Sequence, residues 1–103
     1  MDFLTARPCT GNSYVVYPSR LYELPLAECG RVLKKNGCKV RESGFMIDID
    51  LPGHTCTLYR TGRLLVNPCV DEETALQQAN RIFGLIEKNP RLSLLLKERG
   101  ALL

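Results

Sequence analysis

The chain predicts an α+β fold: two layers, with two amphipathic helices covering one face of a five-stranded antiparallel sheet, followed by a short C-terminal helix. Three observations carry this prediction. From Cys38 to Asn67 the hydrophobic period is two, interrupted only by short turn sequences. Two stretches, Pro25 to Lys35 and Asp71 to Lys88, repeat apolar residues at helical spacing. A β-branched and aromatic run, Ser13 to Tyr17, precedes the first of them. A chain of 103 residues has room for one core. The expected organisation is a flexible arm over 1–12, a main unit over 13–89 and a helical tail over 90–103.

Each element has a local reason. Pro8 and the Thr10-Gly11-Asn12 cluster read as turn signals, so ordered structure is expected from Ser13, and Pro18 ends the first strand. Pro25 fits a helix's first turn at no hydrogen-bonding cost, Leu26, Cys29, Val32 and Leu33 form the inward stripe, and Asn36-Gly37 stops it. Cys38 to Glu42 is a strand and Ser43-Gly44 a turn. Phe45 to Leu51 then alternates, with Ile47 and Ile49 on one face and Met46, Asp48 and Asp50 on the other. Pro52-Gly53 and Thr61-Gly62 turn the chain around His54 to Arg60 and Arg63 to Asn67, a meander with Leu58, Leu64 and Val66 inward. Asp71 is placed to cap the second helix, Glu72 and Glu73 suit its positive end, and Leu76, Ala79, Ile82, Phe83 and Ile86 share a face. Asn89-Pro90 opens a last helix to Glu98, with Leu92, Leu95 and Leu96 as its stripe and Gly100 as its stop.

Composition excludes more than it assigns. Fourteen Lys and Arg against eleven Asp and Glu leave +3, which permits contact with nucleic acid without forming a basic stripe. No apolar run approaches the roughly 18 residues of a membrane helix, and Met1-Asp2-Phe3-Leu4 carries no basic stretch ahead of an apolar one. A cytoplasmic location and no membrane partner are therefore expected. Cys9, Cys29, Cys38, Cys56 and Cys69 are odd in number and lack a C-x-x-C pair, so reduced thiols, no metal and no cofactor are expected. His54 and Cys56 share a strand face and form half of a metal site or a thiol–imidazole pair; nothing completes either, and Cys56 alternates towards the core. Asp48 and Asp50 point the same way, as paired carboxylates must, but a solvated polar strand face is the reading expected of them. With no phosphate-cradling glycine motif and no nucleophile elbow, no enzyme is expected.

The stretch from Cys56 to Asn67, then Asp71-Glu72-Glu73-Thr74-Ala75 and its helix, resembles one half-repeat of the TATA-box-binding-protein family. The features held in common are an apolar strand ending in an aromatic residue, a tight Thr61-Gly62-Arg63 turn, an aliphatic strand and an acidic helix start. The order of elements from Ser13 to Lys88 matches as well, covering most of the chain and one half of that family's duplicated saddle. The N-terminal domain of type-three ribonuclease H is similar to a comparable degree. The resemblance implies a curved sheet whose open face binds the DNA minor groove, with aromatic wedges prising base steps apart; the partner expected for this chain is DNA, RNA or a hybrid. Tyr59 falls at one wedge position, Thr57, Leu65 and Asn67 share its face, and Arg60 and Arg63 lie at the margin, within reach of phosphates. Two departures stand out. Glu42-Ser43-Gly44 replaces the second wedge turn, and Asp48, beside Asp50, stands where the family directs an arginine at phosphate. A carboxylate there repels the backbone that nucleic-acid binders neutralise.

Each of these residues also has an ordinary reading, with Tyr59 capping the hairpin at the sheet edge and Arg41, Arg60 and Arg63 simply solvated. Two functions follow: a non-enzymatic module binding nucleic acid weakly on its open sheet face, or a protein-interaction or scaffold module that has lost DNA binding. Leu92 to Leu103 carries six leucines, and exposure of Leu94, Leu102 or Leu103 would favour a homodimer or another protein partner.

Overall fold

The computed structural model describes residues 4–98, with side chains described through Leu94. In chain order the elements are β1 (Leu4–Cys9), β2 (Ser13–Pro18), α1 (Leu26–Lys35), β3 (Lys39–Ser43), β4 (Met46–Leu51), β5 (His54–Tyr59), β6 (Leu64–Asn67), α2 (Glu72–Ile86) and α3 (Pro90–Glu98). The strands form one antiparallel sheet of order β1-β2-β6-β5-β4-β3. Gly100, Leu102 and Leu103, and the side chains of Leu95 and Leu96, lie outside the described residues.

The sheet has six strands rather than the predicted five. Leu4–Cys9, expected as an irregular arm, pairs with β2 along its whole length, from Leu4 opposite Pro18 to Cys9 opposite Ser13. Pro8 is compatible with this because β1 is an edge strand, where a missing N–H can face away from the ladder. Ala6 is buried between exposed Thr5 and Arg7, so the strand shows only a trace of alternation.

The other boundaries fall within a residue or two of expectation because they rest on local chemistry. Asp71 accepts hydrogen bonds from the Thr74 N–H (2.7 Å) and hydroxyl (3.0 Å), capping α2. Asn89 caps α3 by accepting from the N–H groups of Arg91 and Leu92. After α1, Gly37 takes φ +89°, the left-handed turn its lack of a side chain allows. Gly30, in mid-helix, faces β3: a Cβ there would stand 2.8 Å from Glu42 Oε1, the free end of an exposed side chain that can move aside, and 3.5 Å from Val40.

The alternation of β4, β5 and β6 sorts the sheet into two faces. Ile47, Ile49, Leu58, Leu64 and Val66 are all buried and point into a core shared with Leu33 of α1 and with Ala75, Ala79, Ile82, Phe83 and Ile86 of α2. Leu92 of α3 joins the same core, and Arg91 reaches Glu28 of α1 at 3.1 Å, which places α3 in the helix layer. The segment between β2 and α1 closes one end. Tyr22 and Leu24 are buried, and their N–H groups donate to the carbonyls of Thr61 (3.0 Å) and Arg60 (2.8 Å). No helix among the described residues is long and apolar enough to cross a membrane.

Candidate functional site

The face of the sheet away from the helices carries no covering element among the described residues. Strand register assembles it in rows. Across the centre, Arg41 of β3 lies opposite Asp48, Asp48 opposite Thr57, Thr57 opposite Leu65, Leu65 opposite Val15 and Val15 opposite Arg7. To one side, Lys39, Asp50, Thr55 and Asn67 form a second row, and to the other Met46 lies opposite Tyr59. Four of the sequence-derived candidates, Thr57, Tyr59, Leu65 and Asn67, thus share one surface. Asn67 is exposed, Leu65 and Tyr59 are half-buried, and Thr57 is buried.

The two carboxylates are engaged within this face. Thr57 donates its hydroxyl to Asp48 Oδ1 at 2.7 Å, which also occupies the one polar group Thr57 has to offer. Asp50 accepts hydrogen bonds from both terminal guanidinium nitrogens of Arg41, at 2.8 and 3.2 Å. That fork holds the Asp50 carboxyl below the usual carboxylate range and raises Arg41 in turn. Among the described residues four cations, Arg7, Lys39, Arg41 and Arg63, share the face with two acids, Asp48 and Asp50, a balance of two positive charges. Arg7 also lines, with Thr5 and Tyr17, a depression of about 420 Å³ at the β1–β2 edge.

The two marginal arginines separate. The Arg63 guanidinium lies over the Tyr59 ring, 4.5 Å from its centroid, and belongs to the open face. Arg60 does not: it stands over Phe45, 5.9 Å from the centroid, at the tip between β3 and β4. Phe45 is 75% exposed. It was not among the expected contacts, and neither were Arg7, Lys39 and Tyr17. Reading Leu4–Cys9 as a strand would have supplied Arg7 and its neighbours, whereas the Phe45–Arg60 contact depends on cross-strand register.

The other sequence candidates sit in structural roles. His54 Nδ1 donates to the Pro68 carbonyl at 2.7 Å, tying β5 to the end of β6. Cys56 is buried, and burial pushes its thiol up to about 12, as it does for Cys29. Among the described residues no three His, Cys, Asp or Glu side chains gather as a metal site would require. Exposed Cys9 differs: a hydrogen bond from the Thr10 backbone lowers its pKa. Comparison of the chain with protein-family models, curated proteins and solved structures finds no match.

Proposed function

We propose that this chain is a non-enzymatic binding module that holds nucleic acid on its uncovered sheet face, in a fold akin to a half-repeat of the TATA-box-binding-protein family. The observation carrying this reading is the company Tyr59 keeps: a ring already paired with a guanidinium, on a face where, among the described residues, cations outnumber acids two to one. Arginine planes and aromatic rings are surfaces on which bases stack, and the surrounding cations are what phosphates require. Internal pairing of Asp50 with Arg41 moderates the repulsion expected from the acidic pair. Asp48 remains the unfavourable charge at the centre, so weak and sequence-independent binding is the natural outcome. Fluorescence polarisation with labelled DNA, RNA and hybrid oligonucleotides at low ionic strength tests this. Binding that loosens steeply with salt is expected, and no binding to any of the three would overturn it.

A second reading has its own observation. Leu94 is 54% exposed on α3, in the leucine-rich tail, which favours a protein partner or a second copy of the chain. Light scattering across a concentration series would then report a dimer that truncation after Asn89 abolishes.

A further inference from the structure

We propose that the nucleic acid accepted here is single-stranded, and that neighbouring bases stack on two ring–guanidinium pairs, Tyr59–Arg63 and Phe45–Arg60, at one rim of the sheet. This deepens the nucleic-acid reading and rests on it. Met46 lies directly opposite Tyr59, so the residues just beyond them, Phe45 and Arg60, meet across the two hairpin tips. The two pairs are therefore adjacent along the chain yet differ in phase. Tyr59 and Arg63 continue the open face, whereas Phe45 and Arg60 continue the phase of Ile47 and Leu58. A ligand engaging both must pass over the rim and present separate bases on either side. A duplex keeps its bases stacked and is stiff over about 150 base pairs, while a single strand turns between successive nucleotides and can splay its bases.

Two further features fit the rim to this task. Neither Arg60 nor Arg63 has a carboxylate partner among the described residues, so both guanidinium groups remain free for phosphate or base. The turn that carries them is held in place before any ligand arrives. Tyr59 N–H donates to the Arg63 carbonyl and Gly62 N–H to that of Tyr59, both at 2.9 Å, and the Tyr22–Leu24 segment holds the Arg60 and Thr61 carbonyls from outside. Most of the ordering cost at this corner is thus already met by the fold.

The test compares a labelled oligothymidine with its duplex on oligodeoxyadenosine, by polarisation at low salt. The single strand is expected to bind at least about tenfold more tightly. Loss of one stacked base weakens such complexes about fivefold or more, so Phe45→Leu should lower single-strand affinity by that factor while Phe45→Tyr preserves it. Phe45 is largely exposed, and these variants should fold as the parent does. A duplex bound as tightly as the single strand, or a Phe45→Leu variant that binds like the parent, would overturn the inference and leave the broader reading standing. Absence of binding to either ligand, and to RNA and hybrid, would remove both.

Discussion

Asp48 and Tyr59 are opposed influences, diagonal neighbours on adjacent strands of one face. Asp48 turns a carboxylate towards any phosphate crossing the centre of the sheet, and the hydrogen bond it accepts from Thr57 orders that charge without neutralising it. Asp48→Arg is therefore expected to tighten nucleic-acid binding, with Asp48→Asn intermediate. Tyr59→Ala should weaken it about fivefold or more by removing a stacking surface. Polarisation at low salt reads all three, and equal affinities across the set would show that the ligand lies elsewhere. The thiols give a second residue-scale expectation. Cys9 is exposed and its pKa is lowered by the Thr10 backbone, so its thiolate becomes populated at lower pH than an ordinary thiol's. Cys29 and Cys56, buried and pushed up to about 12, are protonated across the neutral range. Iodoacetamide with peptide mass mapping should find Cys9 alkylated well before either; Cys29 or Cys56 reacting alongside it would mean that the core opens on the labelling timescale.

Among the elements, α2 depends on its cap. Thr74 N–H and hydroxyl favour the charged form of Asp71, so its carboxyl is depressed below the usual value of 3.8. A depressed acid contributes stability that is present above its unfolded pKa and lost as pH falls through the folded one. Asp71→Ala should lower Tm at neutral pH by a few degrees, with the gap from wild type closing in acid. Calorimetry at pH 7 and at a series of acidic pH values checks it; a gap that does not narrow as the pH falls would mean that the cap does not depend on the charged form of Asp71. The period-two alternation of β4 to β6 and the capped stripes of both long helices were legible in the sequence because each is a local signal backed by burial. β1 was not legible. Its one buried residue is Ala6, Pro8 argues against a strand, and its ladder with β2 depends on pairing that no local pattern encodes. Deleting residues 1–9 would remove that ladder and leave β2 as the new edge. The urea midpoint should fall measurably, whereas removal of an unpaired arm would leave it unchanged. The site divides the same way. Thr57, Leu65 and Asn67 follow from strand phase, but the Phe45–Arg60 contact exists only because Met46 is in register with Tyr59.

At the scale of the whole molecule, the modest +3 charge hides two competing basic surfaces. One is the open sheet face. The other is in the helix layer, where Arg31, Lys34 and Lys35 border a groove of about 510 Å³ between α1 and Asn89. Lys34 and Lys35 sit in the last turn of α1, where they complement the helix's negative end, and Glu28 in the same groove is already bound to Arg91. Charge alone would allow either surface to attract phosphates, but rings paired with arginine occur at the sheet and its rim. On the sheet face Arg41 is committed to Asp50, which leaves Arg7, Lys39 and Arg63, with Arg60 at the rim, to neutralise phosphates. Each phosphate contact with a single strand contributes roughly 0.7 to the slope of log affinity against log salt, so four give a slope of about −3. Arg7→Gln combined with Arg63→Gln should therefore remove about half of the slope, and Lys34→Gln combined with Lys35→Gln should leave it intact. Polarisation titrations with oligothymidine at several salt concentrations decide between the surfaces: the reverse pattern would place the ligand on the helices and take the sheet face out of the binding reaction.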